Sequence, residues 1–302
     1  MKASIKYVTL TALAFFSWSC QEEASENLEK FQASESFKSY WYQGLAEINL
    51  YDLEQSRYGE IRKGRSVSIF VTEPFRTDKQ VKNEKGNEPS TSVLKQNHIK
   101  RFTTGLYDYS MMNSVFTPVD FRKEALKVTH SSQDWCGQSF HQLNYNEEAW
   151  FFQQFSYFEE EGDRNKSLGN VFLEDALFNT ARLSPELLPT GDFQIFPNSF
   201  TLRLLHLDPK PIPAKGTLNE SEHEFTYTLA TNAPERKVIL KIANQSPFQI
   251  LEIQESYKDG FSENAEWKTS KMKLDTSFRL PYWKLNSLAD SIYRLNLDLD
   301  LD

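Results

Sequence analysis

Phe225-Thr226-Tyr227-Thr228-Leu229 and the following Val238-Ile239-Leu240-Lys241-Ile242 decide the fold. In the first run large apolar side chains alternate strictly with threonine, the pattern of a strand with one buried face. The second is short, apolar and rich in β-branched residues, which suits a strand better than a helix. Comparable runs fall at residues 193–196, 200–205, 248–257 and 267–274, at the spacing of an antiparallel meander. Nearer the N-terminus, Ala46, Ile48 and Leu50 alternate with polar neighbours, Lys63-Gly64 breaks the run, and Val67, Ile69 and Val71 resume it, which predicts a hairpin. Residues 73–92 hold two Pro, a Gly and many charges and read as a surface loop. Further strands are expected at 93–103, 106–119 and 125–129.

A short helix is expected after residue 30, and one stronger helix near 171–182. Asn170 would cap the latter, Leu173, Leu177 and Ala181 share a helical face, and Pro185 stops it. The chain has no βαβ alternation, which disfavours a parallel α/β sheet. The expected fold is therefore mainly β: a large curved antiparallel sheet or incomplete barrel with one or two helices packed against it, forming a single domain over residues 31–302. Aromatic residues make up 14% of the chain, with 23 Phe and 13 Tyr. Such a supply suits broad sheet faces, and part of it is expected to line one concave face. The alternating tail at 295–302 reads as a last strand or a frayed end.

Residues 1–19 have the order of a secretory signal: Lys2 and Lys6, an almost wholly apolar run from Tyr7 to Trp18, then Ser17 and Ser19 at small-x-small spacing. Cys20 at the junction points to lipidation of a new N-terminus, with residues 20–30 as a polar, acidic tether. A bilayer-spanning helix needs about 20 apolar residues, more than this run holds. The partner expected from this segment is a membrane, reached through lipid on Cys20, and the expected place is the outer membrane, on its periplasmic or cell-surface face.

The formal charge of −8 becomes more negative once Lys2 and Lys6 are removed. An acidic chain is a poor partner for nucleic acid or anionic lipid surfaces. There are two Cys, so a lipidated Cys20 leaves Cys136 without a partner in the chain and excludes a disulfide framework. Trp135, Phe140 and Leu143 surround Cys136, and no Lys or Arg lies between Lys127 and Arg164, which predicts a buried, unreactive thiol.

Several constellations carry possible chemistry. Trp135-Cys136-Gly137-Gln138-Ser139 looks like a thioredoxin active site with its second Cys replaced by Ser, but without the βαβ context that gives the motif meaning. Cys136, with His130 or His141 as base and Asp134 as orienting acid, would make a nucleophilic set if the fold brought them together. Asp163, Asn165, Ser167 and Glu174 occupy positions one, three, five and twelve of a calcium loop, although Leu168 stands where the sharp turn requires Gly. Glu159-Glu160-Glu161 supplies paired carboxylates of the kind glycosidases use. The five His residues have no metal-ligand spacing, and neither a phosphate-binding Gly-rich loop nor a Gly-x-Ser-x-Gly elbow occurs. No cofactor is implied.

Tyr40-Trp41-Tyr42-Gln43-Gly44, residues 107–114, Asp134-Trp135-Cys136-Gly137, Ser156-Tyr157-Phe158-Glu159 with Glu161-Gly162-Asp163, and residues 185–191 together resemble a family of uncharacterised Bacteroidota lipoproteins. Members sometimes carry the label "septum formation inhibitor Maf", which implies a cytosolic nucleotide pyrophosphatase. This chain lacks the Ser-Pro-Arg-Arg phosphate-binding segment of those enzymes and begins with an export signal. In architecture the expected fold also resembles the half-barrel lipoprotein carriers, which hold lipid in the concavity of a curved sheet. Two function classes follow. The first is a non-catalytic envelope lipoprotein that binds an apolar or amphipathic ligand or a protein partner. The second is an envelope enzyme, a hydrolase or thiol-based, centred on Cys136 with His130 or His141.

Overall fold

The computed structural model describes residues 33–260 and 265–296. The expected signal, Cys20, the tether at 20–30 and the end of the C-terminal tail lie outside the described residues. Sixteen strands form a single sheet. They are β1 (Ala46–Arg57), β2 (Glu60–Arg76), β3 (Val81–Lys82), β4 (Ser90–Thr104), β5 (Tyr107–Pro118), β6 (Lys127–Asp134), β7 (Gly137–Tyr145), β8 (Trp150–Ser156), β9 (Arg164–Ser167), β10 (Phe172–Leu173), β11 (Gly191–Phe196), β12 (Ile212–Glu220), β13 (Glu224–Asn232), β14 (Glu235–Ala243), β15 (Ile250–Asp259) and β16 (Glu266–Leu280). Among the described residues four α-helices accompany them: α1 (Glu35–Trp41), α2 (Leu177–Leu183), α3 (Ser199–Leu204) and α4 (Ile292–Asn296).

The order across the sheet is β10-β11-β12-β13-β14-β15-β16-β1-β2-β4-β5-β6-β7-β8-β9, with β3 attached to β2. Every pairing is antiparallel except β10 with β11, which are parallel and joined through α2. The chain thus winds outward from β1 to β9, crosses over, and winds back from β11 until β16 pairs with β1, Leu280 opposite Ala46.

Curvature follows from contacts. Helix α3 has six residues, so it is only about 9 Å long at 1.5 Å per residue. Yet Ser199 Oγ lies 2.8 Å from His141 on β7, and Thr201 Oγ1 donates to Glu255 on β15 at 2.8 Å. In a flat sheet those strands, seven spacings apart in the order above, would be separated by roughly 34 Å. The sheet therefore curls around α3, as an open, incomplete barrel. The first and last strands of the order, β10 and β9, are consecutive in sequence, and the chain between Ser167 and Phe172 bridges the open seam.

Both central helices are packed inside. Every residue of α3 is buried, as is all of α2 except Phe178. One cluster joins them to β11–β16 and to β1, β2, β4 and β5 through Leu177, Ala181, Leu183, Phe200, Leu204, Tyr227, Leu240 and Phe70. A second, around Trp150, Phe152, Leu143, Phe196 and Leu202, fills the end under β5–β8.

Several expectations change in detail. The hairpin turns at Tyr58-Gly59, both at positive φ (59° and 78°), as a two-residue loop that suits the twist of the strands it joins. Gly64 lies inside β2, where a Cβ would come within 2.1 Å of Arg101 O on β4, so it marks a close approach of strands. Strand β2 runs to Arg76, so the loop expected over 73–92 is shorter. Residues 200–205, read as a strand, are mostly helix: Asn198 Oδ1 accepts from Phe200 N–H at 2.9 Å and caps α3. A helix buried on all sides carries no polar stripe, and its apolar residues at alternate positions imitate a strand. The helix expected from Val171 begins as strand β10 and a short 3-10 turn, Glu174–Ala176.

Candidate functional site

The concave face sets buried polar groups among the apolar core. Along β1 the residues turned toward the helices are Glu47, Asn49, Tyr51, Leu53 and Gln55, while Ala46, Ile48 and Leu50 face the other way. Gln96, His98, Lys100, Asn113, His130, Ser132 and His141 are buried on the inward side of β4–β7. These groups find partners on the internal helices. Arg182 donates to Glu47 at 2.5 Å, both wholly buried. Arg236 binds Glu174 through both guanidinium arms and Glu255 at 2.8 Å. Burial alone would lower the pKa of Arg236, but the two carboxylates outweigh it and hold the guanidinium charged. Arg203 on α3 reaches Glu161 at 2.9 Å and Asp134 at 3.5 Å, with Phe158 stacked 4.0 Å beneath it.

The sequence candidates separate. His130 and His141 are cross-strand partners stacked 5.0 Å apart inside the barrel, whereas Cys136 is exposed in the β6–β7 turn. Asp134 Oδ1 accepts from Cys136 N–H at 2.7 Å and from Gly137 N–H at 3.2 Å, the side-chain turn that Asp supplies at the start of a tight hairpin. Along the strand, His130 lies four residues, roughly 13 Å, below the tip. The thiol and the imidazoles do not meet. The expected burial of Cys136 is corrected as well: its neighbour Trp135 is 70% exposed, because alternation ends at the turn. Cys136 should accordingly react with a maleimide in the native protein, without denaturant. Labelling that appears only after urea is added would contradict this placement.

Asp163, Asn165 and Ser167 are exposed at β9 or its approach, while Glu174 is buried with Arg236. The four calcium-loop positions are therefore not gathered, and no cluster of three or more His, Cys, Asp or Glu suited to a metal occurs among the described residues. Glu159 and Glu160 are exposed, and Glu161 is held by Arg203, His206 and Ser156. The glycosidase-like run is thus structural at its third carboxylate.

One interior array has the residue types of a hydrolase. Asp175 Oδ2 accepts from Ser199 Oγ at 2.7 Å, and Ser199 Oγ lies 2.8 Å from His141 Nε2. The order is wrong for nucleophilic catalysis, because the carboxylate binds the hydroxyl instead of orienting the imidazole. All three are buried. Burial pushes Asp175 up to about 7 and His141 down to about 4, so at neutral pH the imidazole stays neutral and the carboxyl that titrates there is itself buried. The adjoining cavity, lined by His98, Lys100, Asn113 and Glu255, is about 50 Å³. It holds roughly 3 to 5 waters at ~10–15 Å³ each and no organic ligand. The concavity in which a half-barrel carrier would keep lipid is filled by the protein's own helices, and its aromatics pack against them.

The convex face divides into two chemically different halves. On β14–β16 the outward rows are Lys241, Glu252 and Lys273; then Ile239, Gln254 and Lys271; then Lys237, Ser256 and Thr269. That is an ordinary solvated surface, and it cannot be the apolar band, about 25 Å tall, that a bilayer-crossing barrel turns outward.

On β5–β8 the outward rows are Ser110, Gln133 and Gln138; Met112, Ser131, Phe140 and Phe155; Ser114, Thr129, Gln142 and Gln153; and Phe116, Lys127, Asn144 and Phe151. Lys127 is the one charge in these rows, and its ammonium is tied to Gln80 O at 3.1 Å. The first two rows floor a groove of about 550 Å³, walled by Tyr157 and Asp163, within the size range of ligand sites. Phe155 is 53% exposed and Tyr157 78%. Gly137 fixes Tyr157: a Cβ there would stand 2.8 Å from Tyr157 Cδ1, so the ring rests on the bare backbone. Arg203, through Glu161 and Asp134, locks the loop and the hairpin tip that form this end of the groove.

Comparison adds little to this geometry. No family model and no curated protein matches the chain. Among solved structures the chain is similar to a porin-like protein from Bacteroides uniformis, at 8% identity and a TM-score of 0.20, over 76% of this chain and 95% of that one. A likeness at that score carries no argument about fold or function.

The sequence reading missed the groove, yet a signal was present. Residues 137–146 and 149–158 contain no charged side chain although their strands have an exposed face, and exposed strand faces normally carry Lys or Glu.

Proposed function

We propose that this protein is a non-catalytic, lipid-anchored envelope protein that binds through the outward face of β5–β8. The observation that carries the reading is the charge-poor groove with Phe140, Phe155 and Tyr157 at its surface. Exposed aromatics clustered on an otherwise polar surface mark an interaction site. The geometry disfavours the enzyme reading, since Cys136 sits away from both histidines and the interior Asp175-Ser199-His141 array is buried. An enclosed apolar ligand is likewise disfavoured, because the concave face is packed with helices.

Anchoring rests on the sequence: the apolar run ending at Cys20, and the acidic tether after it. More than one acyl chain on one terminus gives stable membrane attachment, whereas a single chain gives marginal binding. Cys20→Ala should move the protein from the membrane fraction to the soluble fraction. An intact mass showing an unmodified Cys20, with the protein still membrane-bound, would refute lipid anchoring.

A further inference from the structure

We infer that the groove on β5–β8 binds a neutral polysaccharide, laid across the strands with sugar rings on Phe140, Phe155 and Tyr157. This rests on the reading of that face as the binding surface and adds the ligand's chemistry. Two properties of the lining carry it. First, its hydrogen-bonding groups are hydroxyls and amides: Ser110, Ser131, Gln133 and Gln138. Each Gln offers two donors and an acceptor, and each Ser both roles, which matches a ligand whose every hydroxyl also gives and takes. An anionic ligand would leave its charge uncompensated among these groups and would face the Asp163 carboxylate at the rim, at a desolvation cost. Asp163, at the rim, already accepts from Ser156 N–H at 3.2 Å.

Second, the apolar groups are rings held in a fixed arrangement. Phe140 and Phe155 are directly opposite across β7 and β8, which puts their Cβ atoms about 5 Å apart. Tyr157 continues the row of Gln138, one step along the strand, held there by its N–H to Gln138 O at 3.4 Å and by the open backbone of Gly137. Aromatic faces carry partial negative charge and attract the polarised C–H groups on the flat side of a sugar ring. The hydroxyls at the sugar's edge then reach the amides between the rings.

Other ligands fit less well. An extended peptide adds to a sheet at a free edge, but β5–β8 lie inside the ladder with backbone groups paired on both sides. Nucleic acid needs cations, and Lys127 is already occupied. A lipid surface would bury the glutamines without partners.

The test is affinity electrophoresis of the full-length chain in detergent, through gels containing a neutral glucan, mannan or xylan, or the acidic polygalacturonate. At least one neutral polymer should retard the protein, with binding weakened about tenfold by Phe155→Ala or Tyr157→Ala. Gln138→Leu, which keeps the rings, should also weaken binding, and Lys271→Ala on the far face should leave it unchanged. Circular dichroism of each variant confirms folding. Retardation by polygalacturonate alone, lost in Phe155→Ala, would overturn the neutral-sugar assignment and leave the face as the binding surface. Retardation by a neutral polymer that none of the groove variants affects would overturn the site. No retardation in any gel would overturn the polysaccharide inference, while footprinting on cells judges the face independently.

Discussion

The folded protein should lose stability steeply as the pH falls below about 6.5, the point at which an unfolded histidine takes up its proton. Three imidazoles are responsible. Burial holds His98 and His130 well below the ordinary range, with Lys100 adding to the effect on His98, and His141, Arg203, Lys100 and His98 adding to that on His130. Burial likewise pushes His141 down to about 4, opposed by Glu161. Below pH 6.5 the unfolded chain binds protons that the folded chain refuses, so stability falls by up to about 1.4 kcal/mol per pH unit for each histidine. Asp175, pushed up to about 7 by burial, works in the opposite direction. Its neutral form favours folding at low pH, and that contribution is lost as pH rises from its unfolded value toward 7. Burial raises Glu124 as well, so three histidines against two carboxyls leave a net fall of roughly 1.5–3 kcal/mol per unit between pH 6 and 4. A domain stable by about 5–15 kcal/mol cannot absorb that for long. Urea midpoints measured between pH 7.5 and 4.5 should therefore drop sharply. His130→Phe should flatten the profile and raise stability at pH 5, since neither ring nitrogen of His130 has a hydrogen-bond partner. A midpoint independent of pH would show that the imidazoles are not buried as described.

Removing the central cation should do comparable damage at neutral pH. Arg236 is the shared partner of Glu174 and Glu255. Arg236→Met leaves two buried carboxylates with only Lys100 nearby, and breaking a buried pair from one side costs about 3–5 kcal/mol. Converting Glu174 and Glu255 to Leu and Lys100 to Met in the same chain should restore much of the loss, because Lys100 is the remaining buried cation beside those carboxylates and an apolar replacement of a whole buried ion cluster is often neutral. Equal stability of Arg236→Met and the parent, by chemical denaturation at pH 7, would mean that water reaches the cluster.

The strands were legible because their period of two survives whatever the side chains are. Which face turned inward was not legible. In β1 and β2 the apolar sets Ala46, Ile48, Leu50 and Val67, Ile69, Val71 were natural candidates for the core, yet Glu47, Asn49, Ser66, Ser68 and Phe70 face the helices. Polar groups occupy the inside because the plugging helices are themselves polar. Arg182, Asn179, Ser199 and Arg203 need partners, and those partners come from residues far away in sequence, as with Arg182 and Glu47. Helix α3 was misread for a related reason, since burial on every side erased its periodicity.

The same cause hid the groove. Its residues come from four strands and align only once the register is known, Met112 beside Ser131, Phe140 and Phe155. The sequence candidates failed to assemble because proximity along a strand is distance in space: Cys136 stands at the tip of the hairpin whose interior carries His130 and His141.

Hydroxyl-radical footprinting of the protein on intact cells, compared with the purified full-length chain, tests most directly whether the convex face is where it binds. Labelling of Met112, Phe140, Phe155 and Tyr157 should fall on cells, while Trp267, 48% exposed on β16, is labelled equally in both. Unchanged labelling of the groove residues, or protection of Trp267 in their place, would contradict the account.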